Sequence, residues 1–310
     1  VAFFYFSRKF RDMKTDIFKG YFFALVATVT FANVYIFSKA ALNEIPLAHF
    51  GSLWYLVVTL LCFFYALFSK KLRQLAHLTR KQVYVLLTLG ALEIATTTLF
   101  FLSIHIIPNP AVTSFLGNLY PVMVLLGGIF ILNERFSAVE IFGGFLALAG
   151  AFVISYSGGT TLKTFFIEGA GVVFLNAIFA ATATLVVKTQ VKQLSPEILN
   201  LNRAVWLLAF SVIMIFVLGE QASFSPAVYK NTITGAILEF IAILTAYYSF
   251  KFIDVSKSSI IQSLKGIVVL AVSFFFLGSL PATYQLAGGM ITVAGVLLMT
   301  ISQAGILKSK

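Results

Sequence analysis

An internal repeat is the feature that most constrains how this chain can fold. From Gly90 onward, residues of the second half match residues of the first half at a constant offset of 145 positions. The identical pairs include Gly90 with Gly235, Ser114 with Ser259, Leu119 with Leu264, Phe130 with Phe275, Gly143-Gly144 with Gly288-Gly289, and Ala149-Gly150 with Ala294-Gly295. Apolar residues match by chance in membrane helices, whereas small residues at one register indicate the same close helix contact. The two halves are therefore predicted to share one helix arrangement.

The composition places the chain in a membrane. Of 310 residues, 60% are hydrophobic and 11% are charged, whereas charged residues make up about a quarter of a soluble domain. About 20 helical residues cross the apolar core of a bilayer. Ten apolar segments approach this length: 17–38, 47–69, 82–105, 109–132, 137–157, 168–190, 196–219, 229–252, 256–279 and 281–303. Their connections are too short to hold a soluble catalytic domain.

The repeat and the spans together predict a fold. Upstream of Gly90 the relation continues more weakly, at an offset of 149 that joins Gly20 to Gly169. Five spans per copy, an odd number, turn the second copy upside down relative to the first. We therefore predict an all-α integral membrane protein with ten transmembrane helices in two inverted five-helix repeats, residues 14–160 and 161–310. Residues 1–13 read as an N-terminal extension that ends at a potential start, Met13, and no cleavable signal peptide is evident.

The net charge of +11 reads as an orientation signal rather than as a nucleic-acid footprint. With a cytoplasmic N-terminus, 17 of the 22 Lys and Arg lie on the cytoplasmic side. On the other side lie Lys39, Lys163 and Lys230, and the remaining two, Arg203 and Lys265, lie inside spans. Basic residues concentrate in cytoplasmic loops. The sequence thus predicts cytoplasmic N- and C-termini and no nucleic-acid partner.

The sequence offers no catalytic or metal-binding motif. The single Cys62 lies in an apolar run and excludes an intrachain disulfide. The histidines, His49, His77 and His105, lie near different helix ends without carboxylates at ligand spacing. Because HExxH, GxSxG and phosphate-binding glycine loops are absent, we expect neither an enzyme nor a cofactor or metal.

Three ionisable residues are predicted near the middle of the bilayer. Glu93, Glu239 and Lys265 each fall about ten residues inside a span, which is a depth of about 15 Å. A charge there costs at least about 2.5 kcal/mol, so these side chains should face a cavity or one another. One interpretation is a substrate site in which Lys265 binds a carboxylate or phosphate and a glutamate accepts an ammonium or a proton. The other is a purely structural ion pair of Lys265 with Glu239 or Glu93.

A polar stripe supports the cavity interpretation. Ser258, Gln262 and Lys265 follow i, i+4, i+7 spacing, and Thr113, Gly117 and Tyr120 occupy the matching positions of the first half. Other residues that could line the same cavity are Thr30, Asn33, Trp54, Asn200, Arg203 and Trp206. For the tryptophans, interfacial anchoring or packing is an equal alternative. Arg203, Lys39 and Lys188 could instead extend to water along the helix.

One stretch of the first half carries a family signature. Its elements are Leu119-Tyr120-Pro121-Val122-Met123, then Asn133-Glu134-Arg135, then Gly143-Gly144 and Leu148-Ala149-Gly150. This combination of a proline in an aliphatic helix, a Glu-Arg turn and a glycine-bearing helix resembles the EamA family of the drug/metabolite transporter (DMT) superfamily. The second half departs from it, with Gly266 where the first half has Pro121.

The resemblance implies a bacterial inner-membrane exporter of small metabolites such as amino acids, working by alternating access around a central cavity. Protons are the candidate coupling ion, and the lipid bilayer is the other partner. The residues leave two substrate classes open, a zwitterionic amino acid and a phosphorylated metabolite or nucleotide-sugar. A receptor or scaffold that moves no solute is the non-transport alternative.

Overall fold

The protein is all-helical in the part of the chain that the computed structural model describes. That part comprises residues 2–132, 137–156, 166–191, 193–253, 258, 261, 262, 264–278 and 280–303. The first-half helices are α1 (Ala2–Leu42), α2 (Leu47–Phe68), a 3-10 helix (Lys71–His77), α3 (Arg80–Ile106), α4 (Pro110–Leu116), α5 (Leu119–Leu132) and α6 (Ala138–Ser155). The second-half helices are α7 (Ala170–Gln190), α8 (Pro196–Leu218), α9 (Pro226–Phe252), α10 (Lys265–Leu277) and α11 (Thr283–Gln303).

Seven of the described helices are long and apolar enough to cross a membrane. They are the Phe18–Leu42 part of α1 and the whole of α2, α3, α6, α7, α8 and α9. Two further apolar helices are shorter, Lys265–Leu277 and Thr283–Leu298. Large aromatic side chains on their outer faces are exposed, among them Phe145, Phe216 and Phe275. An exposed apolar surface of this kind is the surface a membrane protein presents to lipid. The chain is therefore a multi-span membrane protein.

The predicted fourth span, 109–132, is two helices rather than one. Pro121 has no N–H, so the carbonyl of Gly117 lacks the partner that a continuous helix would supply. This carbonyl accepts a hydrogen bond from the N–H of Tyr120 instead, at 3.1 Å, and the N–H of Asn118 donates to Phe115. These tighter i to i+3 bonds separate α4 from α5. The predicted Glu134-Arg135 turn lies outside the described residues.

Helices α6 and α11 touch backbone to backbone through glycines. A methyl group on Gly150 would lie 2.6 Å from the carbonyl oxygen of Gly288, and one on Gly295 would lie 2.6 Å from that of Gly143. The residue numbers of the contacting glycines rise along α6 and fall along α11, so the two helices are antiparallel. Gly143 and Gly288 are repeat partners, as are Gly150 and Gly295. If each glycine is replaced by its repeat partner, each of the two contacts becomes the other.

Two tryptophans make a second reciprocal contact. The ring of Trp206, on α8, fills the space beside Gly90 on α3, and the ring of Trp54, on α2, fills the space beside Gly235 on α9. Gly90 and Gly235 are repeat partners. Each half therefore receives an indole from the other half at the same glycine.

Lys39 does not extend to water, contrary to the prediction. Its side chain is buried, and its ammonium donates to the carbonyls of Ile104, His105 and Ile107 at 2.9–3.0 Å. Those carbonyls form the C-terminal end of α3, where backbone acceptors lack helical partners and the helix dipole favours a cation. Lys39 thus ties α1 to the end of α3.

We expect Gly150→Ala to destabilise the protein by about 1–3 kcal/mol, because the new methyl group meets backbone atoms that cannot move aside. Thermal unfolding in detergent measures the effect. Gly171→Ala is the matched control, since a methyl group there meets nothing within 4 Å and alanine favours a helix. Equal melting temperatures for the two variants would contradict the close contact between α6 and α11.

Candidate substrate-binding cavity

A cavity of about 160 Å³ lies at the centre of the described helices. Its walls come from both halves, with contributions from α1, α3, α5, α7, α8, α9 and α10. Six of the nine predicted site residues line it: Glu93, Tyr120, Arg203, Glu239, Gln262 and Lys265. Polar side chains far apart in sequence thus meet at one cavity inside an apolar bundle.

The other three predicted residues do not line the cavity. Asn33 donates its side-chain amide to the carbonyl of Val29, on its own helix, at 2.9 Å. Trp206 packs against Gly90. Trp54 is fully buried and donates its indole N–H to Glu239 from outside the cavity. The positions of both tryptophans agree with the alternative interpretation, in which they are packing residues.

A buried ion-pair cluster forms one wall of the cavity. Arg203 of α8 donates from Nε to Oε2 of Glu93 on α3 at 3.0 Å, and from Nη2 to Oε1 of Glu239 on α9 at 2.6 Å. The side chains of Arg203, Glu93 and Glu239 are 6%, 11% and 2% exposed. Since a buried charge is costly unless it is paired, this one guanidinium compensates two carboxylates and fastens three helices together.

Neutral donors complete the cluster. Glu239 accepts from the indole of Trp54 and from the hydroxyl of Tyr55 at 3.3 Å, so both of its oxygens are engaged. Oε1 of Glu93 has one described contact, the hydroxyl of Tyr247 at 3.4 Å, which is longer than a good hydrogen bond. Glu93 is consequently the carboxylate with acceptor capacity left toward the cavity.

Two alternatives that the sequence left open for Arg203 and Lys265 do not occur. Arg203 does not extend to water, because the two carboxylates deeper in the bundle hold it inside. The alternative pairing of Lys265 with Glu239 or Glu93 does not form either, since both carboxylates bind Arg203. The sequence showed each charge singly and could not show which helices bring opposite charges together.

Lys265 faces aromatic rings instead of a carboxylate. Its Nζ lies 5.3 Å from the ring centre of Phe31 and 5.9 Å from that of Tyr35. Aromatic faces attract a cation, but they leave its hydrogen-bonding capacity unused. Among the described residues, Lys265 makes no salt bridge and no hydrogen bond to a side chain. An ammonium of this kind in a cavity can bind an anionic group.

The break between α4 and α5 and the start of α10 meet at this cavity. Gly117 and Tyr120 flank the break between α4 and α5, and their repeat partners Gln262 and Lys265 flank the start of α10. All four line the cavity. Tyr120 donates its hydroxyl to Thr184 at 2.9 Å, and Gln262 donates its amide to Ser258 at 2.9 Å. Interrupted helices at a central site are characteristic of membrane transporters.

Several lining residues were not predicted, although helical spacing from predicted ones would have found them. Thr96, Thr97 and Phe100 follow Glu93 at three, four and seven positions, and Tyr247 follows Glu239 at eight. Such spacings place side chains on one helix face. Asn176 gave a weaker signal, as an isolated amide in an apolar helix; it donates to the carbonyl of Thr96 at 2.7 Å.

A second, smaller cavity of about 100 Å³ lies between α2, α3 and α8. Thr97 lines both cavities, and Tyr55 lines the second one. Thr97 accepts from Nη2 of Arg203 at 3.2 Å, and Tyr55 donates to Glu239. The ion-pair cluster therefore lies between the two spaces.

We expect Arg203→Gln to destabilise the protein by about 3–5 kcal/mol, because it leaves two buried carboxylates without a cation. Thermal unfolding measures the loss. Adding Glu239→Gln to this variant should recover part of the stability, since only one carboxylate then remains. Lys230→Gln, which removes an exposed cation, is the control. An Arg203→Gln variant as stable as that control would contradict the cluster.

Comparison with known proteins agrees with the resemblance seen in the sequence. A model of the EamA-like transporter family matches residues 18–156 and 167–301. A curated protein of Bacillus subtilis (strain 168) named "Uncharacterized transporter YxxF" is 28% identical over 194 residues, which are 61% of this chain and 60% of that relative.

The fold is also similar to that of a solved protein. A crystal structure matches with a TM-score of 0.65 at 14% identity, covering 95% of this chain and 99% of that chain. At this identity the likeness concerns the fold alone. Because the family model covers most of the sequence in two successive matches, the chain belongs to the EamA-like transporter family.

Proposed function

We propose that this protein transports a small zwitterionic solute, with amino acids as the favoured class, across the membrane. The observation that carries the proposal is the ammonium of Lys265, which lines the central cavity with no carboxylate partner among the described residues. The carboxylate of the solute binds this ammonium. Charge-assisted hydrogen bonds are the stronger ones in proteins, and more so away from water.

The other end of the solute binds Glu93. Its Oε1 lies at the cavity wall with only the long contact to Tyr247, so it can accept a hydrogen bond from an ammonium. Both oxygens of Glu239 are already engaged. The volume of about 160 Å³ suits a small solute.

Charge balance favours a zwitterion over a phosphorylated metabolite. The formal charges of Arg203 and Lys265 cancel those of Glu93 and Glu239. A solute with one positive and one negative group keeps that balance. A phosphate with two negative charges would need two available cations, but the charge of Arg203 is already compensated by Glu93 and Glu239. The amino-acid reading therefore has the better electrostatic support.

Alternating access by two inverted five-helix units, residues 14–160 and 161–310, is the proposed mechanism. Two reciprocal contacts support it: the paired glycines of α6 and α11, and the indoles of Trp54 and Trp206 beside Gly235 and Gly90. Repeats related in this way can exchange conformations and expose one site to each side in turn.

The ion-pair cluster is the proposed barrier in that cycle. It separates the central cavity from the second cavity, and Thr97 touches both. Joining the two cavities into a path requires the contacts of Arg203 to Glu93 and Glu239 to rearrange. A proton bound by Glu93 would weaken one of these contacts, which makes protons the proposed coupling ion.

We expect Lys265→Gln to lower saturable solute uptake by roughly tenfold to a hundredfold, because it removes a charged hydrogen-bond donor. Proteoliposomes supplied with labelled amino acids, nucleosides and sugar phosphates, with and without a proton gradient, measure the flux. Lys188→Gln removes an exposed lysine and is the control. If uptake is confined to sugar phosphates the amino-acid assignment fails, and flux equal in both variants would remove Lys265 from the site.

The proposed location is the bacterial inner membrane, with both termini in the cytoplasm. The placement of basic residues supports this orientation, and Lys70, Lys71 and Lys251 gather around one pocket at one end of the bundle.

Cysteine labelling in intact cells tests the orientation. In a Cys62→Ala background, we expect a membrane-impermeant maleimide to label Lys230→Cys at once, and Arg73→Cys only after permeabilisation. Both positions are exposed, so the result depends only on the side of the membrane on which each cysteine lies. The opposite pattern would invert the topology.

A further inference from the structure

A basic pocket away from the central cavity has no role in the proposed transport step. Its volume is about 320 Å³. It lies between the 3-10 helix, the segment that precedes α8, and the last turn of α9. The lysines Lys70, Lys71 and Lys251 surround it, and Gln74 and Ser195 contribute polar groups.

The charged residues that line this pocket in the described chain are all lysines. No carboxylate lines it among the described residues, and none of the three lysines forms a described salt bridge. Glu197, in the first turn of α8, is not among the lining residues; its side chain is buried, and its Oε1 accepts from the hydroxyl of Tyr248 at 2.5 Å. Like charges around one pocket repel one another, and a bound anion relieves that repulsion.

The polar wall of the pocket is fixed in place. Gln74 donates its amide to the carbonyl of Gln193 at 2.7 Å and accepts from the N–H of Ser195 at 3.0 Å. Lys70 is the only residue other than glycine with a positive φ in the described chain, at 59°. This left-handed conformation ends α2 directly after its C-cap Ser69 and turns the chain into the 3-10 helix. The Gln74 side of the pocket is thus in place before a ligand arrives, which lowers the entropy lost on binding.

The pocket lies where the lipid-facing surface ends. Phe64 and Phe68, on the last turns of α2, are 49% and 80% exposed. Lys70 follows Phe68 by two residues. Apolar aromatic groups beside basic residues are typical of the depth of phospholipid headgroups. A phospholipid fits both surfaces, because its phosphate can reach these lysines while its acyl chains cover α2.

We propose that this pocket binds the phosphate of an anionic phospholipid headgroup. Basic pockets between membrane helices bind such headgroups. Lysines whose only role is to orient the chain in the membrane do not need to line a common pocket. They also do not need a neighbour such as Gln74 that two hydrogen bonds hold in place. The proposal is independent of which solute the central cavity binds.

The purified full-length chain in a neutral detergent tests this site. We measure the melting temperature against the concentration of a soluble short-chain phosphatidylglycerol, with phosphatidylcholine of equal chain length and inorganic phosphate as comparisons. The phosphatidylglycerol should raise the melting temperature at concentrations where phosphatidylcholine does not. In the combined variant Lys70→Gln, Lys71→Gln, Lys251→Gln, the half-effective concentration should rise on the order of a hundredfold.

A second triple variant is the matched control. Lys81→Gln, Lys188→Gln, Lys230→Gln removes the same charge from exposed positions outside the pocket and should respond as the wild type does. If the first triple variant does not fold, Lys251→Gln alone should weaken binding about fivefold. Equal responses of both triple variants, or equal stabilisation by phosphatidylcholine, would overturn the site. If inorganic phosphate raises the melting temperature of the wild type and the first triple variant loses that response, the pocket is a phosphate site, but its assignment to lipid is overturned.

Discussion

The interior of this protein depends on one guanidinium that compensates two carboxylates. Arg203 belongs to the second half, Glu93 to the first and Glu239 to the second, so the cluster joins the halves at the centre of the bundle. None of these charges could stay buried alone. Any movement that opens a path through the bundle must therefore provide new partners for all three.

The two halves agree in their packing residues and differ in their cavity residues. Gly90, Gly143 and Gly150 recur as glycines in the second half, where each allows the same close contact. At the cavity, Tyr120 of the first half corresponds to Lys265 of the second. Packing tolerates little change because a methyl group added to these glycines meets either backbone atoms or a tryptophan ring. The cavity surface is free to diverge, and its two sides are chemically different.

Much of the fold could be predicted because membrane insertion is a local property of the sequence. A run of about 20 apolar residues defines a span wherever it occurs, and the predicted spans agree with the seven long helices. The break between α4 and α5 was missed although Pro121 was visible, since a proline often kinks a membrane helix without ending it. The choice of partner for each charge could not be predicted, because Arg203 is as near in sequence to many side chains as to Glu93.

The sequence by itself determined the helical membrane class, the internal repeat and the family, since each follows from composition or from residue identity at a fixed spacing. It also identified six of the cavity residues, because a polar side chain in an apolar helix must point inward. Only the tertiary structure decided that Arg203 holds both glutamates, that Lys39 binds the end of α3, and that Lys265 remains available. Those outcomes depend on distances between helices, and helix packing sets these distances through contacts between residues far apart in the chain.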